Sequence, residues 1–202
     1  MDRVNNSKNI VKARCETIGT FLRVVFWIYT AALVGAIVYG IWMLTRDASC
    51  FTVNLIDTSD GLMGFAFFED GFTIEFARNS LHAAAVQFPK LTYIIGYWVE
   101  IFVCILSYGI LWNVKHIFRD IDREDTPFTQ QNAKAIHRAG WLYIAITLVK
   151  SWLLPFLCGI AGIGTFSMTV YVNSLILGAV IICLSHVFAY GTVLQKESDE
   201  TI

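Results

Sequence analysis

Charge is what this chain has least of. Lys, Arg, Asp and Glu make up 15% of its 202 residues, where soluble domains carry about 25%. The shortage is concentrated: no charged side chain stands between Val24 and Leu44, and none between Ser151 and Gln195. An ordinary soluble domain is excluded. The long apolar runs also lack strict alternation of apolar and polar residues, which excludes the strand set of a transmembrane barrel. Missing too are a phosphate-cradling glycine loop, a paired-histidine zinc motif and a nucleophile elbow, so no enzyme, metal site or cofactor is expected. The five cysteines make no disulfide framework. Cys104 and Cys183 fall inside apolar runs and Cys15 near the N-terminus, which leaves Cys158 as the sole conceivable partner for Cys50. A net charge of −1 has no excess of either sign; it favours neither a nucleic-acid nor a lipid partner, and direct nucleic-acid binding is not expected.

What is present is apolar length. Hydrophobic residues make up 56% of the chain and aromatics 14%, and about 20 mostly apolar residues cross a bilayer as a helix. Four spans fit, at 21–44, 91–114, 139–163 and 171–194. The first is too long and begins too late for a cleavable signal peptide. The fold class is therefore all-α membrane: a four-helix transmembrane bundle with a small extracytoplasmic antiparallel β element between spans one and two.

Orientation follows from where Lys and Arg cluster. Arg3, Lys8, Lys12, Arg14 and Arg23 lie in or beside segment 1–20, and Lys115, Arg119, Arg123, Lys134 and Arg138 in segment 115–138. The connection over 45–90 holds Arg46, Arg78 and Lys90 against Asp47, Asp57, Asp60, Glu69, Asp70 and Glu75. Both termini, including the acidic tail 195–202, and the central connection are expected in the cytoplasm, with 45–90 outside.

The external connection alternates like strands in CFTVNLID and again in FTIEF after an Asp-Gly turn. Two or three short antiparallel strands are expected over Cys50–Phe76, with Phe65 and Phe67 sharing an apolar face with Phe72, Ile74 and Phe76. Such a sheet is marginal alone, so it should rest on span ends or lipid headgroups, as a cap or as a sensing surface. In the cytoplasmic connection, Pro127 suits a first helical position and Thr126 can cap it. Phe128, Asn132, Ala135, Ile136 and Ala139 then follow at helical spacing, which predicts a short helix running into span three near Gly140. Before it, Lys115, Arg119 and Arg123 mix with Asp120, Asp122, Glu124 and Asp125. That balance argues against a simple polybasic lipid anchor and admits either a partner-facing surface or a solvated helix end, with Arg119, Arg123, Pro127, Phe128 and Asn132 as the candidate partner-binding residues.

Two segments resemble a known group. IFRDIDREDTPFTQQNAKAIHRAG and the terminal FAYGTVLQKESDETI are similar to the loop and tail signatures of an uncharacterised four-span bacterial family, the YoaS-like proteins, and the resemblance runs through all four spans. Arg123-Glu124-Asp125 replaces a glycine-containing turn before the Pro-Phe step. The resemblance implies a bacterial inner or plasma membrane protein, often encoded beside a helix-turn-helix regulator of the Cro/CI type. It implies no activity and no catalytic residues.

Within the spans, two ionisable residues stand out. Rising ~1.5 Å per residue, Glu100 would lie ~14 Å and Lys150 ~18–20 Å below the outer surface. Each charge costs ~2.5–3.5 kcal/mol inside a membrane, so the two are expected to pair if spans two and three are neighbours. Gly96, Glu100, Cys104 and Ser107 recur at helical spacing as a small, polar stripe expected to face protein. Tyr143, Thr147 and Lys150 share a face of span three, and Pro155 removes the hydrogen bond to the Ser151 carbonyl, which predicts a kink beside Lys150. His186 falls nearer the inner side of span four. Glu100, Lys150, Ser107, Thr147 and His186 form the candidate intramembrane polar site, read either as a register-fixing ion pair or as a proton- or ion-responsive site. Ala31 and Gly35, Ala32, Ala36 and Gly40, and Ser174 and Gly178 are spaced for close helix packing, within the bundle or between copies.

Two functions suit this pattern. One is a membrane regulatory or sensory protein that couples an external or intramembrane signal to a cytoplasmic partner such as a transcription regulator. The other is a small oligomeric transporter or channel subunit. A membrane enzyme built on Glu100, Lys150 and His186 ranks below both, because the depths of these residues do not obviously converge.

Overall fold

A computed structural model describes residues 2–59, 61–69, 71–76, 79–124, 126–166 and 171–200. Its helices are α1 (Asp2–Leu44), α2 (Ala84–Gln87), α3 (Pro89–Glu124), α4 (Gln130–Leu148), α5 (Leu154–Ile160) and α6 (Val172–Glu200). Between α1 and α2 lie β1 (Phe51–Thr58), β2 (Gly61–Phe68) and β3 (Ile74–Phe76). Among the described residues, four helical stretches are long and apolar enough to cross a membrane: Glu16–Leu44, Pro89–Ile121, Gln130–Ile160 and Val172–Ser198. The architecture is thus an all-helical membrane fold with one small antiparallel sheet between the first two spans.

The helices run further than the apolar runs alone predict. α1 is already helical at Asp2, and α3 continues through the charged stretch to Glu124. Among the described residues the helix expected before span three is not a separate element but the first turns of α4. The chain turns at Thr126–Thr129, and α4 starts at Gln130 and carries straight into the span. The cap is Thr129 rather than Thr126: its hydroxyl accepts the Asn132 N–H at 3.1 Å, the usual N-cap-to-N3 bond. Thr126 shapes the turn instead, accepting the Phe128 N–H at 3.2 Å and donating to Gln195 Oε1 at 2.7 Å.

The chain forms two compact units. One comprises Leu33–Ile105 and Ile146–Tyr171 and contains the sheet. Its strands run in the order β1-β2-β3, with Phe51 opposite Phe68, Val53 opposite Ala66 and Leu55 opposite Gly64. The buried face of β2 carries Gly64, Ala66 and Phe68, not Phe65 and Phe67. Phe65 lies opposite Glu75, while Ala66 faces Ile74 and Gly64 faces Phe76. A two-residue Asp-Gly turn would have paired Phe65 with Phe76. The actual turn is one residue longer, with Glu69 at φ +47° and the Gly71 N–H bonded to the Phe68 carbonyl at 2.8 Å. One residue of register exchanges the two faces of a strand.

Small residues on that face let the neighbouring elements come close. A methyl group on Gly64 would lie 2.5 Å from Leu81 Cδ1, and one on Gly96 of α3 would lie 2.8 Å from Phe76 Cζ and 2.9 Å from Ile74 Cγ2. Around these contacts Met43, Phe51, Phe68, Phe76 and Tyr93 are almost wholly excluded from solvent. The phenols that enter this core satisfy their polar tips: Tyr93 donates to the Phe72 carbonyl and Tyr97 to the Ala36 carbonyl, each at 2.8 Å.

The other unit comprises Met1–Ala32, Leu106–Ala145 and Val172–Ile202. Here α4 and α6 approach through bare backbone: a methyl group on Gly140 would lie 2.7 Å from Ile182 Cγ1 and 3.2 Å from the Gly178 carbonyl oxygen. Phe128 fits against Gly191 in the same way and meets the Phe188 ring at 5.4 Å. Phe26 is the large buried ring of this unit, 5.0 Å from Tyr108 and 5.5 Å from Trp112. Gly35, in the sheet-bearing unit, by contrast has nothing within 4 Å of an added methyl among the described residues.

Candidate functional site

The ionisable pair expected between spans two and three comes together. Lys150 Nζ lies 3.5 Å from Glu100 Oε2. The local backbone shows why Lys150 stands where it does. Pro155 has no N–H, and its ring would collide with the Ser151 carbonyl in a regular α-helix. The helix responds with a π-helical turn over Val149–Leu153, a widened turn that often marks functional positions. Ser151 is buried in that turn and donates to the Thr147 carbonyl at 2.8 Å. Lys150 is therefore carried on the one irregular turn of this span.

The pair is not enclosed. Both side chains are about half exposed, 48% for Lys150 and 49% for Glu100. Of the small, polar stripe on α3, Gly96 is buried against the sheet, whereas Glu100 opens outward. At 3.5 Å the contact is an ion pair, longer than the 2.7–2.9 Å of a tight charge-assisted hydrogen bond.

The remaining residues of the predicted polar site divide between the units. Thr147 belongs with Glu100 and Lys150, while Ser107 and His186 belong to the other unit. His186 sets its ring edge-on to His137 at 5.8 Å; His137 in turn contacts Ser185 Oγ at 3.2 Å and accepts the Trp141 indole N–H at 3.1 Å. The predicted partner surface also changes. Asn132 is fully buried and donates to the Pro127 carbonyl at 3.1 Å, so it holds the turn together and offers nothing to a partner. Pro127 accepts that bond rather than opening the helix. Arg119 is exposed and Phe128 keeps 41% of its surface accessible; the Arg123 side chain lies outside the described residues. Cys50 and Cys158 are both thiols, not a disulfide, and Cys158 is wholly buried.

Two polar arrangements escaped the sequence reading. In the sheet-bearing unit, Lys90 donates to the carbonyls of Leu44 at 3.0 Å and Arg46 at 2.5 Å, closing the C-terminus of α1 with a cation. Beside it, Arg46 Nη2 donates to Glu69 Oε1 at 3.0 Å. That bond, with a further one from Cys50, holds the Glu69 carboxyl below its ordinary range and raises the Arg46 guanidinium. In the other unit, the Lys115 ammonium lies 3.8 Å from the centre of the Phe26 ring, and nearby Arg23 and Arg119 help to line a cleft of about 290 Å³. The only sequence signal for either was the position of isolated cations at the ends of apolar runs.

No curated protein and no solved structure matches the chain. One family model does, described as Protein of unknown function (DUF2975), over residues 75–202. That is more than half of the sequence, so the chain belongs to this family.

Proposed function

We propose that this DUF2975 protein is a bacterial membrane regulatory or sensory protein in which the Glu100–Lys150 pair is the responsive element. The observation that carries the reading is an ion pair at 3.5 Å, half exposed, with its lysine on a π-helical turn. A charge at that depth costs ~2.5–3.5 kcal/mol, and a π turn differs from an α turn by one step of hydrogen bonding. Drawing Lys150 away from Glu100 to another anion changes the preferred form of the turn. That gives two states with a difference for a signal to act upon.

In this reading both termini and the 126–129 turn lie in the cytoplasm, as the distribution of Lys and Arg indicates, and the sheet lies outside. Arg119 and the exposed edge of Phe128 form the surface read by a cytoplasmic partner. The partner class that fits the YoaS-like resemblance is a helix-turn-helix regulator, and through it any effect on DNA would be indirect.

The test is recovery of cytoplasmic proteins with the intact chain in mild detergent, comparing the parent with Glu100→Gln and with Arg119→Ala/Phe128→Ala. The double variant should lose the partner. Glu100→Gln should change its recovery by about fivefold or more, the lower range of allosteric coupling. Equal recovery from the parent and Glu100→Gln would remove the pair from the mechanism, and recovery of no partner from any form would end the regulatory reading. Ion flux in proteoliposomes that disappears in Glu100→Gln would instead favour the transporter or channel subunit.

A further inference from the structure

We propose that the cleft between α1 and α3 lined by Arg23, Lys115 and Arg119 is a binding site for a phosphate group, supplied by the headgroup of an anionic lipid. The inference does not depend on the role given to Glu100 and Lys150.

Spacing builds the cleft. Glu16, Thr20 and Arg23 fall on one face of α1 and Lys115, Phe118 and Arg119 on one face of α3. The helices come together at Gly19, where an added methyl would already lie 4.0 Å from Phe118 Cβ. The opening above that contact is the cleft of about 290 Å³. Three cations and one carboxylate, Glu16, line it, with the Thr20 hydroxyl as a further donor.

The cations differ in how far they are already committed. Arg119 makes contacts along its own helix, with His116 Nδ1 at 2.5 Å and Asp120 Oδ1 at 3.7 Å. Among the described residues, no carboxylate forms an ion pair with Arg23 or Lys115. Lys115 is placed by aromatic faces instead, 3.8 Å from Phe26 and 5.5 Å from Trp112. A cation–π contact orients an ammonium without cancelling its charge, so the cleft keeps a positive field, and Arg23 adds a fork suited to phosphate oxygens.

Position selects the source of the phosphate. Arg23 is the last charge before the uncharged run that opens at Val24, and Lys115 is the first after the apolar run ending at Val114. On the apolar side of the cleft Trp27 and Trp112 are 64% and 45% exposed, the placement of interfacial aromatic anchors. The cleft thus lies at headgroup depth, with exposed Phe21 and Val24 beside it to meet an acyl chain. A phosphodiester of the adjacent leaflet reaches it without leaving the membrane. The balanced charges of the connection that follows do not alter this, because the site is a geometric cluster and not a polybasic run.

The test uses the full-length protein in nanodiscs of phosphatidylcholine alone or mixed with phosphatidylglycerol. Native mass spectrometry reads retained lipid, and a detergent titration compares phosphatidylglycerol with inorganic phosphate. Phosphatidylglycerol should be retained over phosphatidylcholine, and Arg23→Gln/Lys115→Gln should bind it about thirtyfold more weakly, the expected loss for two surface cations. Arg23→Lys/Lys115→Arg, which keeps both charges, should retain most of the binding and shows that the site and not the fold was altered. Inorganic phosphate that binds with no preference for phosphatidylglycerol would keep the phosphate site and overturn its lipid source. Equal weakening by Lys134→Gln/Lys196→Gln, two exposed lysines outside the cleft, would overturn the site altogether.

Discussion

The two units reach compactness by different means. In the sheet-bearing unit the side chains fully excluded from solvent include the large Tyr93, Phe68, Phe76, Met43 and Ile163, packed among small ones such as Ala66, Ala85 and Ser80. In the other unit Phe26 is a large buried ring, but the buried positions on α4 are small or polar, Asn132, Ala133, Ala135, Ala139 and Gly140, and α6 buries Gly178 and Ser185. Water makes large apolar side chains worth burying. Hydrocarbon does not, and helices in lipid associate instead through small residues that let backbones approach and through polar contacts. The sheet unit is assembled as a water-soluble core is, with helix ends as its floor. The other unit is assembled as a membrane bundle, with Gly140 set against Gly178 and Ile182. One short chain thus follows two rules of packing.

The strongest way to break this comparison is to hollow out the aromatic core. Phe76 is wholly buried and closes the space over Gly96. Phe76→Ala should cost about 3–5 kcal/mol, as large-to-small changes of buried aromatics do, read by unfolding of the purified protein in mixed micelles. A cost near zero would mean that the sheet is an appendage and not a core.

The matching test in the other unit adds volume instead of removing it. A side chain at Gly140 meets the Gly178 carbonyl as well as Ile182, and backbone cannot swing away as a flexible side chain can. Gly140→Val should cost about 1–3 kcal/mol, while Gly35→Val, with nothing within 4 Å of the added carbon, should leave unfolding of the single chain unchanged. A matched effect at the two glycines would show that helix propensity, not close approach, is being measured.

The same contrast explains what could be read from the sequence. Apolar length has one dominant meaning at 20 residues or more, so four spans and the fold class were legible, as was a strand element in the alternation of CFTVNLID. The meeting of Glu100 with Lys150 was legible too, because an unpaired charge in a span is costly. What failed turned on a single residue of register or on a local competitor. The face of β2 was inverted because the Glu69–Gly71 turn is one residue longer than the Asp-Gly signal suggests. Asn132 looked like a surface contact because no pattern shows that Thr129, rather than Thr126, caps the helix and draws Asn132 inward. His186 sits beside His137 in the other unit, a neighbour that its place along span four does not give. The basic cleft was missed because its cations come from α1 and α3, more than 90 residues apart in sequence.

The smallest expected effect separates burial from charge within the sheet unit itself. Arg46 and Glu69 tie the end of α1 to the turn after β2 through a bond of 3.0 Å, and both side chains remain substantially exposed, at 41% and 45%. The bond from Arg46, followed by that from Cys50, lowers the pKa of the Glu69 carboxyl in the folded protein. A carboxyl whose folded pKa is depressed contributes stability that is fully present above its unfolded pKa and is lost as pH falls through the depressed folded value. Unfolding midpoints should therefore fall on acidification across the carboxylate range, and Glu69→Gln should be slightly less stable than the parent at neutral pH, the difference closing in acid. Because the pair is exposed, ionic strength of about 1 M should also shrink that neutral-pH difference, whereas the loss from Phe76→Ala should survive the same salt. A Glu69→Gln difference that persists in both acid and salt would assign Glu69 a packing role, and the sheet would then be held by its apolar face alone.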